Sequence, residues 1–180
     1  MVAACCIFGA SSYAVIIDFQ SLEAAGYPDH GTQYIEDGYQ LDCSSEWGFW
    51  SLGTNHTSYS GSTALHVGDV VGNTQLSKVG GGTFDLISID LAELYDLGSY
   101  DVTFVRDGGH SQTFTLDGIA FGAETFTFDS GFLGSTTVTW AQDPEYHQFD
   151  DIVIIPEPAS IGLLGLISGG IYFARRFFVV

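Results

Sequence analysis

The stretch YDVTFVRDGGHSQTFTL, residues 100–116, decides the fold class of this chain. Apolar and polar residues alternate through 100–106 and again through 110–116, which is the period of a β-strand with one buried face. Between the two runs lies Asp107-Gly108-Gly109, and these residue types tolerate the positive φ angles of tight hairpin turns. The stretch therefore predicts two antiparallel strands joined by a short turn.

Similar alternation recurs on both sides of this hairpin. It marks further strands at 15–19, 83–91, 124–128, 136–140 and 149–155. Within 83–91, we expect Ile87, Ile89 and Leu91 to share one face of the strand. Within residues 15–155, no stretch has the apolar spacing of a long helix. Roughly seven to nine strands in residues 15–155 predict an all-β fold, an antiparallel β-sandwich with a jelly roll as the preferred topology.

The charge of the chain is strongly negative, with 22 acidic and 4 basic residues. Every acidic residue except Glu157, but only Lys78 and Arg106 among the basic ones, lies in residues 15–155. Such a surface repels phosphate backbones, so nucleic acid is excluded as a partner. The same surface attracts divalent cations, which prefer carboxylate oxygens. Cys43 is the only cysteine of this body, so no internal disulfide is expected.

The N-terminus has the features of a signal peptide in residues 1–14. Small and apolar residues are followed by Ser12-Tyr13-Ala14, which fits the small-x-small rule for cleavage and would make Val15 the mature N-terminus. No Lys or Arg precedes Lys78, although signal peptides begin with positive charge. We therefore expect the export signal to be clipped at its start.

The C-terminus has the features of a single transmembrane helix. Residues 159–174 are 16 residues without a charge. A helix of this length spans ~24 Å, somewhat less than the ~30 Å hydrocarbon core, and interfacial side chains can cover the difference. Arg175 and Arg176 should keep residues 175–180 cytoplasmic, which places the body outside. Pro156 and Pro158 are expected to separate the body from the span, because proline interrupts helices and strands.

The order of these C-terminal elements resembles a known sorting signal. Pro156-Glu157-Pro158, the short apolar helix and Arg175-Arg176 resemble the PEP-CTERM signal of exported proteins in Gram-negative bacteria that make extracellular polysaccharide. The resemblance, which covers residues 156–180, implies that exosortase, an integral-membrane cysteine protease, recognises Pro156-Glu157-Pro158 and processes the tail. It further implies transient anchoring in the inner membrane, followed by delivery to the cell surface or extracellular matrix. The alternative is a plain tail anchor.

The strand pattern of the body resembles carbohydrate-binding-module jelly rolls of the galactose-binding-like kind. The pattern runs FDLISIDL…VTFVRDGGH…FTLDG…TFTF…VTW…FDDIVI through residues 84–154. The resemblance implies a polysaccharide ligand. It also implies a structural calcium ion that ties the first strand to the last, for which the matching positions are Asp18 or Glu23 and Asp150 or Asp151.

The cluster Glu46-Trp47-Gly48-Phe49-Trp50 holds the candidate sugar-binding side chains. A flat aromatic ring can stack on the apolar face of a pyranose while polar side chains bind its hydroxyls. In a continuous strand Trp47 and Trp50 would face opposite ways, so we expect at most one of them to line a given site. Ordinary packing of both rings is the alternative.

The sequence contains no recognisable catalytic motif. It lacks the G-x-S-x-G, H-E-x-x-H and phosphate-loop patterns. The pair Asp150-Asp151 would point to opposite faces of a strand and cannot form a local acid–base dyad. The sequence thus predicts an exported, non-catalytic protein with a binding or structural role in an exopolysaccharide layer. The alternative is a secreted glycan-active hydrolase on a β-sandwich scaffold.

Overall fold

The computed structural model describes residues 13–69, 71–94, 98–116, 122–142 and 147–157. Within these ranges the fold is all-β, with thirteen strands and two short 3-10 turns, the first at Gln20–Leu22 and the second at Ser130–Phe132. None of the helical segments in these ranges has the length and apolarity needed to cross a membrane. The predicted span at 159–174 and all but the last two residues of the predicted signal peptide lie outside the described residues.

The thirteen strands form two antiparallel sheets. They are β1 (Val15–Ile17), β2 (Asp29–Gly31), β3 (Gln33–Glu36), β4 (Tyr39–Cys43), β5 (Phe49–Ser51), β6 (Leu65–Val67), β7 (Asn73–Lys78), β8 (Phe84–Glu93), β9 (Tyr100–Arg106), β10 (Ser111–Leu116), β11 (Glu124–Thr127), β12 (Thr137–Ala141) and β13 (His147–Pro156). The first sheet has the order β11-β8-β13-β6-β5-β2, and β1 also pairs with β13. The second sheet has the order β10-β9-β12-β7-β4-β3. The predicted antiparallel β-sandwich is confirmed.

The hairpin that decides the fold class is present as predicted. Strands β9 and β10 pair from Ser111 opposite Val105 to Leu116 opposite Tyr100. The turn between them contains Gly108 and Gly109 at φ 85° and 86°, values that glycine adopts without the steric cost of a side chain. Buried and exposed residues alternate along both strands, so one face of the hairpin packs into the core.

The prediction that Ile87 shares a face with Ile89 and Leu91 is wrong. Strand β13 pairs with β8 along its whole length, but the register shifts on either side of Val153. Leu86 and Ile89 are both buried while Ile87 between them is only half-buried, so the inward face changes phase at this point. A bulge inserts an unpaired residue and therefore reverses the alternation on its two sides.

The sequence pattern also underestimated the number of strands. Six strands, β2 to β7, lie between residues 29 and 78, where alternation predicted none. Three of them have only three residues, which is too short for a period to be recognised.

Close backbone contacts hold this region together. Gly53 N donates to Gly26 O at 2.7 Å, and a Cβ added at Gly53 would overlap that carbonyl group.

The core between the sheets is largely aromatic. Seven of its bulky side chains are fully buried: Phe19, Phe49, Phe84, Phe104, Phe132, Trp140 and Phe149. Phe149 on β13 joins the two halves of the chain, since its ring packs edge-on against Phe19 at 5.8 Å and against Trp140 at 5.2 Å. Such T-shaped pairs add to the stabilisation that comes from burial alone.

Candidate functional site

Three side chains form a row across the outer face of the first sheet. Trp50 on β5 lies opposite Asp29 on β2 and opposite His66 on β6. Residues directly opposite each other in antiparallel strands project from the same face of the sheet, so Asp29, Trp50 and His66 are neighbours on one surface.

Tyr27 lies over this row. Its ring stacks on Trp50 at 4.8 Å and on His66 at 5.4 Å between centroids, with interplanar angles of 27° and 21°. It also stacks on His56, at 5.8 Å. Tyr27 nevertheless keeps 44% of its surface exposed. The result is a stack of nearly parallel rings in which Tyr27 is exposed to solvent, Trp50 is half-buried and His66 is buried.

Trp47 extends this surface, and we call Tyr27, Trp47 and Trp50 together the aromatic ledge. The Trp50 indole Nε1 donates to the carbonyl oxygen of Trp47 at 2.7 Å. A Cβ added at Gly68 would lie 2.5 Å from Trp50 Cδ1 and 3.1 Å from Trp47 Cβ, so both tryptophans border one glycine. Trp47 precedes the strand and Gly48, at φ 63°, turns the backbone between them, so the two tryptophans do not belong to the continuous strand on which the expectation of opposite faces rested.

The hydrogen bonds of His66 orient the ledge. His66 Nδ1 lies 2.9 Å from Val67 O, a carbonyl that can only accept, so Nδ1 carries the proton. Nε2 of the neutral ring therefore accepts the hydroxyl proton of Tyr27, at 2.7 Å. Burial lowers the pKa of His66 to about 4, which keeps the ring neutral at physiological pH. Tyr27 is thus held by both stacking and a defined hydrogen bond.

A carboxylate lies beside the ledge. Asp29 is exposed, and its Oδ1 accepts the backbone N–H of Gly31 at 2.7 Å, which fixes the carboxylate beside Trp50. His30 Nε2 lies 2.8 Å from the Ser51 hydroxyl, but Ser51 is buried and follows Trp50 in β5, so this hydroxyl lies on the other face of the sheet. Flat rings beside a fixed carboxylate can bind a ligand that has an apolar face and hydroxyl groups at its edge.

Sequence reasoning identified the two tryptophans of this surface but missed Tyr27 and His66. Tyr27 precedes Pro28 in a segment without strand periodicity, and His66 belongs to a strand of three residues. Only the pairing of β2, β5 and β6 brings these residues together. No local signal in the sequence could have found them.

The residues predicted for calcium lie partly together. Burial first, and then repulsion from Asp90 and Asp18, raise the pKa of Asp151. Asp150 is almost fully buried, and this burial raises its pKa to about 7. Glu23 is exposed beyond the first 3-10 turn. Among the described residues, no group of three or more His, Cys, Asp and Glu side chains has an arrangement that could hold a metal ion, and calcium stays a prediction.

The predicted sorting motif begins inside the folded body. Strand β13 extends to Pro156, which lies opposite Phe84, so Pro156 does not separate the body from the residues after it. Strand β1 pairs with β13 only as far as Ile154, so Pro156 lies at an edge position, where a proline is tolerated. Glu157 Oε2 accepts the hydroxyl proton of Thr83 at 2.7 Å. Pro158, Arg175 and Arg176 lie outside the described residues.

No family model matches the sequence, and no curated protein sequence matches it significantly. Among solved structures, the exo-β-1,3-galactanase of Phanerochaete chrysosporium is similar with a TM-score of 0.39 and 17% identity, over 69% of this chain and 29% of that one. The GH26-CBM35 β-(1,4)-mannanase of Podospora anserina is similar with a TM-score of 0.37 and 15% identity, over 75% of this chain and 28% of that one. The CBM22-1 xylan-binding domain of Paenibacillus barcinonensis Xyn10C is similar with a TM-score of 0.38 and 13% identity, over 83% of this chain and 99% of that one. Similarities this weak carry no inference about what this chain binds.

Proposed function

We propose that this protein is an exported, non-catalytic β-sandwich of the jelly-roll kind that binds a neutral polysaccharide in the extracellular matrix. The observation that carries the proposal is the aromatic ledge. Trp47 is 57% exposed and Tyr27 is 44% exposed, although both are large amphipathic rings whose burial would stabilise the fold. Rings kept in solvent beside a fixed carboxylate are typical of a surface that stacks against sugar rings.

The geometry of the ledge reduces the entropic cost of binding. Tyr27 is held by its hydrogen bond to His66 and by its stacking on Trp50, and the Trp50 indole is bonded to the backbone of Trp47. Side chains that are already ordered lose little rotamer freedom when a ligand binds. The strong negative charge of the chain favours an uncharged glycan over an anionic one, because like charges repel.

The test is binding of the full chain to a panel of neutral and acidic polysaccharides, measured by affinity electrophoresis and titration calorimetry. Replacing Trp47 by Ala should weaken binding about 2- to 12-fold, the value of one lost stacking contact. Leu133→Ala is the matched control, because Leu133 is also an exposed apolar side chain, at 46%, but lies beyond the second 3-10 turn, remote from the ledge in sequence. Equal affinity of all three proteins would overturn the ledge as the binding site.

We further propose that the C-terminal residues sort the protein to the cell surface through an exosortase-type protease. The order of Pro156-Glu157-Pro158, the apolar residues 159–174 and Arg175-Arg176 supports this proposal. Glu157→Ala should leave the protein at full length in the inner membrane, whereas the wild type is trimmed and found outside. Glu46→Ala, which also removes one glutamate but lies outside the motif, should behave like the wild type.

Cell fractionation with intact-mass analysis of the C-terminus, in a host that carries the sorting protease, makes this measurement. Deleting residues 156–180 should release soluble protein to the periplasm, because the span is lost with the motif. Wild-type protein that keeps Val180 and remains in the membrane would reduce the tail to a simple anchor.

A further inference from the structure

The chain leaves the sandwich through one of its most deeply buried strands. Strand β13 lies inside the first sheet, with β8 on one side and β6 and β1 on the other. Ile152 and Ile154 on this strand are fully buried, and pairing continues to Pro156 opposite Phe84. The core therefore continues directly into the first residue of the proposed sorting motif.

The second residue of the motif is also held by the body. Glu157 Oε2 accepts the hydroxyl proton of Thr83, which directly precedes β8. The other carboxylate oxygen packs over Gly134, where an added Cβ would lie 3.2 Å from Glu157 Oε1. Gly134 is itself fixed, since its backbone N–H donates to Asp85 Oδ1 at 2.8 Å. One short segment, residues 83–85, thus contacts Pro156 and Glu157 directly and holds the loop beneath them.

We propose that the folded body restrains the sorting motif, so that the rate of tail processing is set by local opening of residues 155–157. This inference rests on the proposed sorting function. A membrane protease must place the peptide it reads in its own cleft, and residues paired in a sheet cannot enter a cleft until they separate from it. Strand ends open locally at a far lower free energy than global unfolding requires, so the opening step is accessible in the native protein.

The contact between Thr83 and Glu157 can be removed without changing the motif. Thr83→Val deletes the hydroxyl donor and keeps the branched shape of the side chain. A net hydrogen bond to a protein acceptor corresponds to a shift of roughly 2- to 12-fold in an opening equilibrium. We therefore expect Thr83→Val to be trimmed several times faster than the wild type. Thr83→Ser retains the hydroxyl and should be trimmed at close to the wild-type rate.

The experiment is pulse–chase labelling of the full chain in a host that carries the sorting protease, followed by intact-mass analysis. Faster trimming of Thr83→Val than of Thr83→Ser supports the restraint. Equal rates for the two variants and the wild type overturn it, as does slower trimming of Thr83→Val, which would mean that the contact presents the motif. A wild type that is never trimmed contradicts the sorting proposal instead.

A measurement without the protease tests the restraint independently of the sorting proposal. Hydrogen exchange at the Ile155 amide, which lies opposite Asp85 in the paired part of β13, is followed by nuclear magnetic resonance in the full chain, in detergent micelles. Exchange in the wild type should be slower than in an unstructured peptide, and Thr83→Val should accelerate it several-fold while exchange at Ile89 and Leu91 stays unchanged. An Ile155 amide that already exchanges at the peptide rate in the wild type would overturn the inference, whatever the outcome of sorting.

Discussion

The two halves of the body are built differently. Residues 84–156 form long strands, including the ten-residue β8 and β13, around a cluster of packed phenylalanines. Residues 20–78 form shorter strands of three to six residues. Both halves bury polar side chains, such as Ser51 and His66 in the first and Gln148 and Asp150 in the second, so the halves differ in the length of their strands.

This difference separates function from stability along the chain. The aromatic ledge lies in the half with short strands, where Gly48, Gly53 and Gly68 allow close approaches that a side chain would block. Loops and short strands carried by a rigid sheet are common places for binding residues. The long-strand half supplies that rigid sheet through β8 and β13. Substitutions in the two halves should thus differ in size and in their dependence on pH.

The largest effect is expected from Phe104→Ala in the long-strand half. Phe104 is fully buried, and its ring lies 5.0 Å from Phe128 and 5.2 Å from Trp140. Truncating a buried phenylalanine costs about 3–5 kcal/mol, because apolar contact is lost and a cavity remains. Urea unfolding at pH 7 measures the free energy change. Trp47→Ala in the short-strand half should lower the free energy of unfolding by less than about 1 kcal/mol. Equal losses of stability in Phe104→Ala and Trp47→Ala would show that the two halves do not differ in this way.

The second effect concerns Asp150, whose pKa is raised to about 7 by burial. The folded state then binds the proton more tightly than the unfolded state, so stability is full below pH ~4 and is lost as pH rises from there to about 7. Asp150→Asn removes this loss and keeps an oxygen that can accept the N–H of Asp151. The variant should gain about 2–3 kcal/mol relative to the wild type between pH 5 and pH 8. A constant difference across that range would show that Asp150 titrates normally.

The third effect has the opposite sign and belongs to His66 in the short-strand half. Its pKa is lowered to about 4, so the unfolded state binds the proton first and stability falls as pH drops below about 6.5. Between pH 8 and pH 5 this loss amounts to about 2 kcal/mol. His66→Gln should reduce the loss by that amount, while the Gln oxygen can still accept the Tyr27 hydroxyl proton. Urea unfolding curves of the wild type and His66→Gln at pH 8 and pH 5 measure this loss of stability. A variant that loses as much stability as the wild type would show that His66 is not its source.

The smallest effect is expected from Asp151→Asn. Asp151 has φ 42°, a left-handed conformation that Asn tolerates well, and it is repelled by Asp90 and Asp18. Removing its charge should raise stability by a few tenths to about 1 kcal/mol at low salt, and less at high salt. Thermal unfolding measures the shift. Calcium that raises the melting temperature more than magnesium at equal ionic strength, with the difference lost in this variant, would instead support the calcium predicted from the sequence.

Sequence patterns predicted the long-strand half well because its physical cause is local. The alternation in 100–116 directly reflects one buried face, and the structure pairs these residues as expected. The phase change at Ile87 could not be predicted, because it depends on which residues of β13 lie opposite. The same holds for the ledge, where Tyr27 reaches Trp50 only through contacts between segments distant in the chain. The period of apolar residues predicts which face of a strand is buried, but it does not predict which strands or side chains lie beside it.

The direct continuation of β13 into Glu157 has a mechanical consequence. A body tethered through residue 157 would receive any pulling force at the C-terminal end of β13. The component of this force along the strand shears the hydrogen bonds between β13 and its partners β8 and β1 together instead of opening them one at a time. Resistance to such pulling is governed by the rate of unfolding. The strand that ends at the proposed motif would then be the part of the sandwich that carries tension between cell and matrix.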